Sequence, residues 1–91
     1  MAFSDDMEAM RFAVETNDME YFETLLNSQA NYDTRFKFAD DGSTLLHCIA
    51  AAGNINMLDL VLEKVKKKDL NKVVNEVDNN GMTPLMVAIS R

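Results

Sequence analysis

The residues able to do chemistry are few. His47 and Cys48 are adjacent, and they are the one histidine and the one cysteine among 91 residues. As a catalytic pair they would need an orienting acid and an exposed, activated thiolate. As metal ligands they would need further His or Cys, which the chain does not have. The acids Asp5, Asp6, Glu8 and Glu15 could be imagined as an acid–base pair. Nothing apolar surrounds them to shift a pKa, and the first three suit the first turn of a helix, where negative charge complements the dipole. The run KVKKKD, residues 64–69, could contact nucleic acid or act as an import signal. In a chain that is acidic elsewhere it reads as the basic end of a helix. The seven methionines could form an adaptable binding surface. However, Met7, Met10, Met19 and Met57 stand at core spacing, while Met82, beside Gly81, is expected to point outward. No Gly-rich phosphate loop and no nucleophile elbow is present. These residues predict no catalysis, no cofactor and no metal.

The bulk composition narrows the classes further. Ninety-one residues make one small domain, close to the size at which a single core barely suffices. One cysteine excludes an internal disulfide framework. The start, MAFSDDMEAM, is acidic where a secretory signal would be basic, and no apolar run approaches a membrane span. A cytoplasmic or nuclear location is expected. The net charge of −6 is uneven: ten acids against three bases up to Gly42, five against six from Ser43 onward. An acidic first half disfavours nucleic acid and anionic lipid, since phosphate binding depends on Lys and Arg releasing counterions. It favours a basic partner.

The elements that must position these residues form a repeated phrase. Asp41-Gly42-Ser43-Thr44-Leu45-Leu46 overlays Asn80-Gly81-Met82-Thr83-Pro84-Leu85. Upstream, MRFAVETNDMEYFETLL (10–26) overlays LHCIAAAGNINMLDLVL (46–62) without a gap, so that Asn17 falls on Gly53. Thr83 is suited to cap a helix, and Pro84 to begin one, because its missing N–H would be unpaired there anyway. Asn17 and Gly53 fall where a first helix must stop and reverse through a left-handed residue. The second helices should bury Ile55, Leu58, Val61 or Leu62 and Val65, and likewise Met19, Phe22 and Leu25 or Leu26. Asp5 with Glu8 has capping-box spacing ahead of the first helix. The chain thus reads as two helix pairs and the first half of a third.

Asp78-x-x-Gly81-x-Thr83-Pro84-Leu85 followed by Ala88, and Gly42-x-Thr44 followed by Leu46-His47, Ala50 and Gly53-Asn54, resemble the ankyrin repeat. The first copy has the helix pair without the Thr-Pro-Leu-His signature, as suits an N-terminal cap. The resemblance implies an all-α solenoid of stacked antiparallel helix pairs joined by β-turn or hairpin loops. One domain would span 1–91, with repeats at about 5–37 and 38–76 and a partial third at 77–91. It also implies that His47 bonds to its own turn near Thr44 and that Cys48 packs inward between helices. The GSTLLHCIA segment with its long Lys-bearing link is similar to inhibitor-of-NF-kappaB-type repeats as well. The family binds partners through turn tips and exposed first-helix positions. Carried over, the tips are Asp40, Asp41, Ser43, Asn79, Asn80 and Met82, and the helix positions Glu15, Thr16, Ala51, Ala52, Ser90 and Arg91. The implied function is a non-catalytic protein–protein interaction module for a segment bearing basic and apolar residues. The alternative is homodimerisation or assembly through the open C-terminal end.

Two irregularities bear on that alternative. Gly42 and Gly81 are 39 residues apart against a family period of about 33. About six residues are therefore inserted within KVKKKDLNKVVNEV, and three more within NSQANYDTRFKF. Insertions should form loops on one face, because a helix carrying them could not stack. The last helix should leave Leu85, Ala88 and Ile89 partly uncovered, since one repeat cannot bury its own apolar face; either the chain is the N-terminal piece of a longer array, or this end pairs with another copy or a partner.

Overall fold

Six helices make up the described residues, 3–27, 36–65 and 67–90, of the computed structural model, and no strand occurs among them. They are α1 (Phe3–Glu15), α2 (Met19–Asn27), α3 (Leu45–Ala52), α4 (Ile55–Lys64), α5 (Lys67–Val74) and α6 (Pro84–Ser90). Helix α1 packs on α2 and α3 on α4; the first helices stack α1 on α3 on α6, and the second helices α2 on α4. This is the expected all-α stack of helix pairs.

Local chemistry explains where the pairs reverse. Asn17 takes φ 56° and Gly53 φ 71°, both left-handed, directly after α1 and α3. Each reversal then supplies a cap to the next helix. Asp18 Oδ1 accepts from Tyr21 N–H at 3.1 Å, and Asn54 Oδ1 accepts from Met57 N–H at 3.0 Å. Asn54 Nδ2 donates to Asn17 Oδ1 at 2.6 Å, tying the two reversals together. Thr83 Oγ1 accepts from Met86 N–H at 3.3 Å, with buried Pro84 opening α6 as expected.

The core runs between the helix layers through Met7, Met10, Val14, Phe22, Leu46, Ile49, Met57 and Val61. The second-helix stripe differs from expectation by one position. Met57 and Val61 are fully buried, Leu58 and Leu62 half-buried, and Ile55 is 70% exposed. Ile55 opens α4 and lines an apolar cavity with Leu58, Leu62, Val74 and Leu85 rather than entering the core. Met19 is also only half-buried.

Three other expectations are corrected. Helix α1 begins at Phe3, so the backbone of Asp5 lies within it rather than at its N-cap position; its side chain lies outside the described residues. Asp6 is buried rather than solvated on the first turn. The main insertion is not a loop: it folds as α5, with Val73 buried in the core and Leu70 and Val74 about one third exposed. An extended Val65 ends α4. The basic run is thereby split, with Lys64 in the last turn of α4 and Lys67 and Lys68 opening α5, the dipole end that Lys does not favour. Lys66 lies outside the described residues, as do residues 28–35 of the first insertion.

The candidate partner-binding groove

Two turns form one rim of a groove. In the first, Phe38 N–H donates to Ser43 O at 2.7 Å and Gly42 N–H to Phe38 O at 2.8 Å. In the second, Asp78 N–H donates to Met82 O and Gly81 N–H to Asp78 O, each at 3.0 Å. An acid holds each turn from within. Asp41 Oδ1 accepts from Ser43 N–H at 2.9 Å; Asp78 Oδ1 accepts from Asn80 N–H and Met82 N–H, both at 2.9 Å. Hydrogen bonding by Ser43, through hydroxyl and backbone, holds the Asp41 carboxyl below its ordinary range. The Met82 N–H, assisted by that of Asn80, does the same for Asp78. Both stay ionised at neutral pH.

The turns are fastened to each other and to the helices. Asn79 N–H donates to Asp41 O at 3.0 Å. Lys37 reaches the same neighbouring turn segment, donating to Val77 O at 2.6 Å and lying 3.5 Å from Glu76. His47, buried in α3, is the deeper link. Its Nε2 lies 2.7 Å from Met82 O, which can only accept, so Nε2 carries the proton. Nδ1 is then free to accept from Thr44 N–H at 3.0 Å and Thr44 Oγ1 at 2.8 Å. The histidine therefore bonds to its own turn, as the resemblance implied, and also to the next one. Neighbouring Cys48 is half-buried against the core, 3.8 Å from Ser43 Oγ, and desolvation raises its thiol to about 11. A protonated thiol beside a histidine committed on both nitrogens is no nucleophile pair. Among the described residues no cluster could hold a metal ion.

The groove between these turns and the first helices encloses about 600 Å³. Of the expected contact residues, Glu15, Asp40, Asp41, Ser43, Ala51, Ala52, Asn80, Met82 and Ser90 line it. Thr16 does not: it follows the end of α1 and its hydroxyl donates to Phe12 O at 2.8 Å. Asn79 does not line it either, and its carboxamide lies over Gly42. Arg91 lies outside the described residues. Met82 is half-buried in the groove wall rather than simply outward.

Five lining residues were not anticipated as contacts: Arg11, His47, Cys48, Asp78 and Val87. Val87 occupies in α6 the register of Cys48 in α3, so extending the repeat alignment would have found it. Arg11 had no such signal. Its Nη1 donates to both Asp40 oxygens at 2.9 and 3.1 Å, and its Nη2 to Glu8 Oε1 at 3.0 Å. The guanidinium sits 4.4 Å above the Phe38 ring, which packs edge-on to Phe36. The groove is thus acidic through Glu15, Asp41 and Asp78, with Asp40 neutralised by a clamped arginine.

A sequence model of ankyrin repeats in three copies matches residues 5–91. No curated protein matches the chain. No helix among the described residues is long and apolar enough to cross a membrane.

Proposed function

The chain belongs to the ankyrin repeat family, and from that premise we propose that it binds a segment of a partner protein along this groove. Ankyrin repeats are generally protein–protein interaction modules and typically non-catalytic. The observation that carries the finer reading is the groove itself: an acidic rim of turn tips facing a floor of small first-helix residues, Ala51 and Ala52. An occupant with Lys or Arg among small apolar residues matches both surfaces. The turns are held by Asp41, Asp78 and His47 before any partner arrives, so little ordering entropy opposes binding. We read residues 1–91 as one domain acting in the cytoplasm or nucleus.

Panning a random peptide library over the protein tests this. Enriched peptides should be basic with small apolar residues, and Glu15→Lys with Ala52→Arg should weaken them at least tenfold while leaving thermal unfolding unchanged. Enrichment of acidic peptides, or binding that survives the double substitution, would refute the groove assignment.

A further inference from the structure

Asn80 and Gly81 stand together at the tip of the second turn, and the chain has no other Asn-Gly pair. Both are exposed, and among the described residues the Asn80 carboxamide makes no hydrogen bond. Other asparagine side chains are held. Asn54 Nδ2 donates to Asn17 Oδ1, Asn75 Nδ2 donates to Asn71 Oδ1, and the Asn79 carboxamide lies over Gly42. Gly81 leaves the approach to its backbone nitrogen open. It has no side chain, and no residue beyond its two neighbours comes within 4 Å of where a Cβ would stand.

We propose that Asn80 is a deamidation site whose product adds a carboxylate to the rim of the groove. The Gly81 nitrogen attacks Asn80 Cγ: an N–Cγ bond forms, the Cγ–Nδ2 bond breaks, and ammonia leaves with the Gly81 amide proton. Water then opens the cyclic imide at either carbonyl, giving aspartate or isoaspartate, each with one new negative charge. The attack requires release of Gly81 N–H from Asp78 O, a single exposed turn bond of 3.0 Å. Exposed turns open locally at small free-energy cost. The first turn shows that the aspartate product fits. Asp41-Gly42 holds the overlaid position, with φ 69° at Gly42 against 75° at Gly81, so a carboxylate is accommodated there. Asp41 itself is spared the same ring closure. Ser43 holds its carboxyl below the ordinary range, and an ionised carboxylate offers no leaving group. Asn80 lines the groove with Asp41 and Asp78, so the new charge joins the acidic surface assigned to a basic segment. That consequence, unlike the chemistry, rests on the proposed function.

Incubating the 91-residue chain for several weeks at mildly alkaline pH and body temperature, followed by peptide mapping with tandem mass spectrometry, decides the matter. Asn80 should convert at least about tenfold faster than any other asparagine, with an acidic shift on isoelectric focusing. Asn80→Gln, whose longer amide closes a larger and slower-forming ring, should show neither change. An Asn80 that stays intact in the folded chain overturns the proposal, as does earlier conversion at Asn79 or elsewhere. The added charge is read by comparing Asn80→Asp with the parent for a labelled peptide of alternating Lys and Ala. The variant should bind about two- to fivefold more tightly at low salt, the effect of one exposed charge pair. Equal or weaker binding overturns the assignment of the new charge to the groove. If the parent ignores this peptide altogether, the groove reading fails while the mass map still decides the deamidation.

Discussion

Replacing Gly42 or Gly81 by alanine should have very different consequences, although both sit at equivalent points of their turns. Their φ angles are 69° and 75°, so each alanine meets the same left-handed strain. That strain is about 1–2 kcal/mol, offset by about 0.4–1 kcal/mol because alanine restricts the unfolded chain. At Gly81 a Cβ would find nothing within 4 Å, leaving a net loss of about 1 kcal/mol. At Gly42 the Cβ would collide with Asn79 Oδ1 and lie 2.8 Å from its Cγ and 3.1 Å from its backbone nitrogen. The carboxamide can rotate away, but the backbone nitrogen is held by its bond to Asp41 O. Overpacking of this kind adds about 1–3 kcal/mol, which brings Gly42→Ala to about 2–4 kcal/mol in total. At roughly 4–8 °C per kcal/mol for a chain of this size, Gly81→Ala should lower Tm by about 5 °C and Gly42→Ala by about 10–25 °C. Urea unfolding followed by circular dichroism measures both. Adding Asn79→Ala to Gly42→Ala should restore part of the loss and not all of it. Equal destabilisation by the two glycine substitutions would refute the account of how the turns are spaced.

Two further outcomes concern α3. His47→Ala removes the acceptor for Thr44 and the donor to Met82 O, so it should cost about 3 kcal/mol. It should also speed amide exchange in α6 more than in α2; uniform acceleration would argue against a link between turns. Cys48 rises from an ordinary 9.0 to about 11 through desolvation, so its alkylation at neutral pH should be roughly a hundredfold slower than that of a free thiol. The folded chain then keeps a proton that the unfolded chain releases, so stability should fall as pH rises from about 9 to 11 and level off beyond. The urea midpoint should show this decline in the parent and not in Cys48→Ala.

The reversals at Asn17 and Gly53 and the start of α6 were legible because a backbone requirement dictates the residue type locally. A left-handed residue selects Gly or Asn, and a first helical turn accepts Pro. The buried stripe of α4 was half legible. Periodicity placed an apolar residue at Ile55, but whether it is covered depends on a neighbouring helix, which periodicity does not report. Helix α5 was misread as a loop on the ground that inserted residues cannot stack. That constraint applies to helices within the stack, and α5 instead lies after a second helix and anchors itself through Val73. Its lysines obscured an apolar pattern only eight residues long. The Arg11–Asp40 pair, 29 residues apart, is a matter of side-chain reach and left no local trace.

That pair decides which acid gives the groove its selectivity. Of the four acids lining it, Asp40 is neutralised by Arg11, while Asp41 and Asp78 hold their own turns through backbone N–H groups. Reversing charge at Asp40 would place a cation against a clamped guanidinium, and reversing it at Asp41 would release Ser43. Loss of binding in either variant would confound recognition with a loosened rim. Glu15 sits on the last turn of α1, exposed, and its carboxylate makes no hydrogen bond or ion pair among the described residues. A substitution there changes the potential of the groove while leaving every turn contact in place. Glu15→Lys therefore separates electrostatic recognition from scaffold integrity, and a basic segment bound along this face must feel it.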